Sequence, residues 1–221
     1  MEPLEAVKTR HSVREYTSRS LEPEIVQALQ AEIDACNRES GLHIQLVTEE
    51  PSAFQGLLPH YGKFSCVRNY LALVGPKGPE LDEKAGYYGE RLVLKAQMLG
   101  LNTCWAALTF RRSRCAVQRN PGETLLCVIS LGYGATQGVP HKSKPLESLC
   151  RAETPAPDWF LRGMESVLLA PTAINQQKFF FTQSGSSIQA KATGGFCSGI
   201  DLGIVKYHFE VGAGTSHFSW V

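Results

Sequence analysis

The chain has 221 residues, above the usual single-domain mode of about 100–150 residues. Hydrophobic residues make up 43% and charged residues 19%, which excludes disordered and fibrous classes. Lys and Arg number 22 against 21 Asp and Glu, a formal charge of +1 that gives no general attraction for nucleic acid or an anionic membrane.

The opening MEPLEAVKTR has no apolar core of the secretory kind, and no run approaches the ~18–20 apolar residues of a membrane span. The seven cysteines contain no C-x-x-C, and most sit in apolar surroundings such as Leu126-Cys127-Val128. They read as reduced packing residues of a cytoplasmic protein, not as a disulfide framework or a zinc site. The six histidines lack short ligand spacing, so no metal is expected.

In chain order, Pro3 to Lys8 predicts a short helix, and Glu22-Pro23-Glu24 opens a second with Ile25, Val26, Leu29 and Ile33 on one face. Leu42 to Thr48 and Val67 to Val74 predict strands, the latter stopped by Gly75-Pro76. Residues 75–84 read as a polar loop before a helix from Gly86 to Leu99. The apolar run Thr124 to Leu131 predicts a central strand. Residues 135–158, rich in Pro, Lys and Ser, read as a linker. A helix from Asp158 to Leu169 follows, with Asp158 as its N-cap. Strands at Lys178 to Thr182 and Ile188 to Thr193, a helix from Gly199 to Phe209 and a strand from His217 to Trp220 close the chain. This divides residues 1–221 into a first half of about 1–145 and a second of about 158–221. Glu90…Lys95 and Asp201…Lys206 repeat one acid-to-lysine spacing in the two halves. Internal duplication and chance likeness of two amphipathic helices both account for it.

No Walker A pattern and no G-x-G-x-x-G occurs, so a P-loop or Rossmann dinucleotide site is unsupported. Gly195-Phe-Cys197-Ser-Gly199 matches the cysteine form of a nucleophile elbow, with Asp201 and His217 downstream. A hydrolase using Cys197 is therefore one alternative function, and a small-residue turn packed on the core is the plainer account.

Four segments carry binding chemistry. In Arg10-His11-Ser12-Val13-Arg14, alternation puts Arg10, Ser12 and Arg14 on one face of an extended segment, a cradle for phosphate or polyol. Lys142 and Lys144 form a second cationic pair with the same spacing. Ala170-Pro171-Thr172-Ala173-Ile174-Asn175-Gln176-Gln177 ends a helix in a loop with three amides, able to bring backbone close to a flat ligand. Gly100 to Leu108 sets Trp105 among small residues. If the two cationic pairs meet, they require an anion.

Together, R-H-S-V-R-E-Y, G-L-N-T-C-W, L-G-Y-G…K-S-K-P-L-E and A-P-T-A-I-N-Q-Q resemble the FMN-dependent nitroreductase family, over nearly the whole chain. The late position of A-P-T-A-I-N-Q-Q is similar to the subgroup whose single chain mimics the two-chain dimer. The resemblance implies an α+β sandwich of mixed or antiparallel sheet with flanking helices. It also implies FMN at a subunit or pseudo-subunit interface, in a pseudo-dimeric monomer or a homodimer. Arg10, Ser12 and Arg14 match the residues holding the phosphate, ribityl chain and pyrimidine edge, and His11 a backbone or ring contact. Lys142 and Lys144 match the basic pair at the phosphate. Pro171, Thr172, Ala173 and Asn175 match the loop against the isoalloxazine, and Trp105 to Leu108 the backbone near its redox edge. Gln177-Lys178 stands where Pro-Trp is common. The implied activity is ping-pong hydride transfer from NADH or NADPH through the flavin to a small aromatic or quinone-like acceptor, with no catalytic side chain. A non-catalytic flavin-binding module is the other alternative.

Overall fold

The computed structural model describes the backbone of residues 1–221 and every side chain except those of residues 58 and 61. The chain divides into two compact units, the first of residues 1–8, 82–90 and 141–221 and the second of 9–81 and 91–140. The architecture is α+β, with one sheet in each unit.

The second unit is built on an antiparallel sheet in the order β1 (Gln45–Val47), β2 (Asn69–Pro76), β4 (Glu123–Gly132), β3 (Asn102–Ala106). The two interior strands are the two long apolar runs, because a strand covered on both faces has no polar face to alternate. A bulge interrupts β2–β4 pairing where Leu73 faces Cys127 and Val74 faces Leu125, leaving Leu126 as the extra residue. The Arg112 guanidinium donates to the carbonyls of both Leu125 and Leu126, satisfying the groups that the bulge turns out of the ladder. Helix α2 (Pro23–Ser40) flanks β1 and buries Leu29, Ile33 and Cys36. Arg91 donates to Glu32 at 2.6 Å and to Glu39 at 2.7 Å, tying α2 to the second half of helix α4 (Leu81–Met98).

The first unit carries a mixed sheet in the order β5 (Cys150–Arg151), β6 (Phe179–Ser184), β7 (Ser187–Ala192), β8 (Ser219–Trp220). Only β6 and β7 are antiparallel, joined by the two-residue turn Gly185-Ser186. Helices α5 (Asp158–Val167) and α6 (Ser198–Ala213) pack together, and an aromatic cluster of Phe160, Phe181, Phe209 and Trp220 fills the core. His208 and Glu90 are both fully buried here. His208 Nδ1 lies 2.9 Å from the Ser166 carbonyl oxygen. A carbonyl only accepts, so Nδ1 carries a proton and donates. Nε2 meets Glu90 Oε1 at 2.9 Å, with one proton between them.

Several boundaries differ from the sequence expectation. Strand β2 runs through Gly75 and Pro76, because the missing side chain at Gly75 leaves room for Leu42 and Leu81. Helix α4 starts at Leu81 instead of Gly86, with Asp82 and Glu83 in its first turn favoured by the positive end of the helix dipole. Strand β3 was not legible, since a five-residue strand carrying Asn102 and Thr103 lacks a clean pattern. Within 135–158, residues 146–148 form a 3-10 turn and β5 pairs with β6, so this stretch carries more structure than a linker. Asp158 is the first helical residue and makes no capping bond; Pro157 occupies the N-cap position. His217 ends a 3-10 turn, and the closing strand holds only two residues. The five-residue helix α3 (Leu57–Tyr61) carries no sequence signal of its own.

Helices α4 and α6 approach through glycine. A Cβ at Gly203 would lie 2.5 Å from the Tyr87 nitrogen and closer still to the Glu83 carbonyl oxygen. One at Gly86 would lie 2.9 Å from the Ile200 carbonyl carbon. Gly203→Ala should therefore destabilise the protein by about 3 kcal/mol or more. That is a fall of roughly 6–12 °C in Tm, read by thermal unfolding beside the wild type. An unchanged Tm would show that the helices can part without cost.

Candidate functional site

In the second unit, residues 10–16 follow α1 (Pro3–Thr9) as an extended segment with only isolated bridges. Ser12 bridges Thr103 of β3, and the Val13 N–H donates to the Thr103 carbonyl at 3.0 Å. Tyr16 is 4% exposed and anchors the far end. Its hydroxyl donates to the Val13 carbonyl at 2.7 Å and meets Ser130 Oγ at 2.8 Å. Burial, then the Cys104 thiol, raises the Tyr16 phenol well above its ordinary pKa, so it remains a proton donor. Asn102 secures the adjoining turn: its Oδ1 accepts from Gly134 N at 3.0 Å and its Nδ2 donates to Gln137 Oε1 at 3.1 Å. Gly138 then lies against His11 and Ser12.

The segment carries Arg10, Ser12 and Arg14 at alternating positions, and its bridge at Ser12–Thr103 sets it beside the buried Cys104 of β3. Burial raises that thiol's pKa, while Arg14, a hydrogen bond with Ser12, and Arg10 pull it down. Arg10 is buried and Arg14 exposed, so one guanidinium is fixed in the wall and the other reaches solvent. Trp105 is half-buried in β3 opposite Ile129, and Leu108, beyond the strand, is 66% exposed.

In the first unit, the loop after α5 forms a tight turn at Ala173–Asn175. Ile174, Asn175 and Gln177 have φ of 48°, 55° and 46°. Left-handed backbone is uncommon outside glycine and an outlier for a β-branched residue such as Ile174, so surrounding bonds must impose it. They come from two sides. Buried Asp201 in α6 accepts from Ala173 N at 2.9 Å and from Gln176 Nε2 at 2.7 Å. Buried Gln177 donates to the Lys142 carbonyl at 2.9 Å and accepts from Lys144 N at 2.8 Å. Asn175 Nδ2 also donates to the Lys142 carbonyl, at 3.0 Å, and Gln177 N to Thr172 Oγ1 at 3.1 Å. The structure thus brings Lys142, Lys144, Thr172, Ala173 and Asn175 together, with Pro171 half-buried at the start of the loop. Lys144 differs from its expected role as a freely presented cation. Its ammonium donates to the Gln176 and Gln177 carbonyls at 2.8 and 3.0 Å, leaving one N–H for any ligand.

The anchors Tyr16, Asn102, Gln177 and Asp201 were not among the expected binding residues. Only Asp201, in Ile200-Asp201-Leu202, is a polar residue between apolar sequence neighbours, a signal that could have marked it; Tyr16, Asn102 and Gln177 carry no such signal.

The elbow at Cys197 has the strand–turn–helix setting and a left-handed φ of 55°. Its chemistry is contrary to a nucleophile. Burial, with the Asp201 and Asp82 carboxylates, pushes the thiol pKa up to about 11, when thiolate at neutral pH requires the reverse. Asp201 is committed to the 173–176 turn, and His217 stacks on Trp159.

Both donor sets fit a phosphorylated flavin in kind: guanidiniums with a hydroxyl in one, backbone and amide groups on a constrained loop in the other.

Burial raises the Asp201 pKa above 3.8, outweighing the bonds from Gln176 and Ala173. Its protonated form is therefore favoured by folding, and its contribution to stability falls as pH rises from about 4 through the raised folded value. Subtracting the urea stability of Asp201→Asn from that of the wild type across pH 3.5–7.5 should give a negative slope in that window. A flat or rising difference would contradict the assignment.

The family model described as "Putative TM nitroreductase" matches residues 2–213. No curated protein matches the chain. The crystal structure of a putative nitroreductase from Thermotoga maritima is 23% identical with a TM-score of 0.67, covering 96% of this chain and 83% of its own. A putative NADH dehydrogenase/NAD(P)H nitroreductase from Parabacteroides distasonis is 21% identical with a TM-score of 0.54, covering 66% and 95%. A putative nitroreductase in complex with FMN from Desulfovibrio desulfuricans is 18% identical with a TM-score of 0.52, covering 67% and 95%. At these identities the likeness is one of fold.

Proposed function

Because the chain belongs to the TM nitroreductase family, we propose that it is an FMN-dependent oxidoreductase taking hydride from NADH or NADPH and passing it to a small aromatic or quinone-like acceptor. The observation that carries this proposal is the alternation of Arg10, Ser12 and Arg14 along one extended segment held on β3 by the Ser12–Thr103 bridge and the Val13–Thr103 hydrogen bond. A buried guanidinium, a hydroxyl and an exposed guanidinium on one short segment suit a phosphate, a polyol and an electron-rich ring edge. The FMN complex of the Desulfovibrio neighbour supports the choice of cofactor.

When bound, FMN supplies the hydride chemistry, so no side-chain nucleophile or general acid is required. The chain's own residues then bind and tune. Arg10 and Ser12 hold the phosphate and ribityl chain. Arg14 lies at the pyrimidine edge, where a fixed positive charge favours electron gain. Pro171, Thr172, Ala173 and Asn175 offer a rigid backbone and an amide to the ring. Lys142 and the one remaining N–H of Lys144 add positive charge for the phosphate. Trp105 and Leu108 flank the ring's reactive edge, and His11 contributes a backbone or ring contact.

Among the described residues no helix is long and apolar enough to cross a membrane. All seven cysteines are free, which supports the proposed cytoplasmic setting. A monomer whose single chain carries both donor sets is the proposed assembly, with a homodimer as the other arrangement.

Denaturing the purified protein should release FMN. Arg14→Ala should weaken FMN binding by roughly 10- to 100-fold, as expected for losing a hydrogen bond to a charged group, and lower the bound flavin's reduction potential. Fluorescence titration and spectroelectrochemistry measure the two; wild-type values in the variant would remove Arg14 from this role.

A further inference from the structure

Residues 107–122 of the second unit hold four arginines, Arg111, Arg112, Arg114 and Arg119, and no acid. Arg19, Arg68 and Arg91 each face a carboxylate. Among the described residues, none of the four does. Glu50 lies nearby, but its carboxylate is engaged by Ser52, the Ala53 N–H and the Tyr70 hydroxyl. Arg112 serves the β4 bulge and is accounted for by the fold. Arg111, Arg114 and Arg119 are exposed and have no such duty.

The placement of Arg111 is built. Its guanidinium lies over Gly56, where a Cβ would come within 3.0 Å of Nη1. Gly56 has a φ of 108°, a conformation open to glycine and strained for other residues. The Arg111 N–H is held by the Ala53 carbonyl at 2.7 Å. One 3-10 turn later the Arg114 N–H bonds the Arg111 carbonyl at 2.8 Å, keeping the two arginines within a single turn of chain. Leu57 is 87% exposed and Leu108 66% exposed. Gly62 against Thr109 and Gly56 against Arg111 set residues 56–62 alongside 109–111, so exposed Leu57 follows directly on the glycine that meets the Arg111 guanidinium. Apolar surface near two exposed guanidiniums one turn apart suits a flat base carrying a phosphate dianion.

We propose that Arg111 and Arg114, with Leu57 near Arg111, bind the adenosine 2′-phosphate of NADPH, making NADPH the preferred electron donor. This rests on the oxidoreductase proposal above for its meaning but is tested separately. NADH and NADPH differ only in that phosphate, which a guanidinium fork reads directly.

The probes are adenosine 2′,5′-bisphosphate and adenosine 5′-monophosphate, titrated calorimetrically into the protein as purified. The bisphosphate should bind roughly 10- to 100-fold more tightly, and the advantage should shrink as salt rises. In Arg111→Ala/Arg114→Ala the advantage should disappear, and with it the preference in kcat/KM for NADPH over NADH. Should the double variant not fold, the salt dependence in the wild type and the single variant Arg114→Ala carry the test. Equal binding of both probes to the wild type, or a preference that survives the double variant, overturns the inference. Absence of FMN on denaturation would instead overturn the flavin proposal and leave the probe result to be judged by itself.

Discussion

A cationic segment with no helix or strand of its own must be held from beneath, and here one buried phenol adds a side-chain tie to the backbone bonds with Thr103, Ser65 and Ala135. The Tyr16 hydroxyl bonds the Val13 carbonyl of its own segment and Ser130 of β4 together. Without that tie, residues 10–16 would keep only isolated bridges to their neighbours, and conformational entropy would scatter Arg10, Ser12 and Arg14. Burial keeps the phenol protonated. The bond that positions the positive charges is therefore itself insensitive to pH over the ordinary working range. The seating of the segment on β3 is a consequence of this tether as much as of the Ser12–Thr103 bridge.

The first unit solves the same problem with different chemistry. Three non-glycine residues between 174 and 177 take left-handed backbone, at a cost of order 1–3 kcal/mol each. Asp201 and Gln177 offset that cost by anchoring the turn from α6 and from residues 142–144. In both places a buried polar anchor sets the backbone that carries the groups offered to a ligand. Removal of an anchor is thus expected to alter geometry before it alters charge.

Legibility in the sequence followed physical simplicity. The interior strands β2 and β4 were visible because burial on both faces yields continuous apolar runs, and α2 because one buried face imposes helical spacing. Strand β3 was hidden, since Asn102 and Thr103 serve polar bonding at its start. The start of α4 was hidden because a helix opening on Asp82 and Glu83 looks like a polar loop until Leu81 is known to be buried. Arg10, Ser12 and Arg14 could be grouped from alternation alone. The attachment of Lys144 to the Gln176 and Gln177 carbonyls could not, because it depends on contacts more than thirty positions apart in sequence. Cys197 shows the opposite failure: a correct local motif in which burial of the thiol, then the Asp201 and Asp82 carboxylates, reverse the chemistry that the motif suggests.

The contact of α4 with α6 at Gly86 and Gly203 has a bearing on how this chain can vary. The distance between those helices is set by two absent side chains, so the interface has no elasticity in the direction of larger residues. Glu90 on α4 and His208 on α6 depend on that distance for the hydrogen bond between them. Evolutionary drift at either glycine would thus have to be answered by simultaneous movement of a buried acid. The pair works as a spacer gauge, tolerating change elsewhere on the helix surfaces while leaving these two positions almost no freedom of their own.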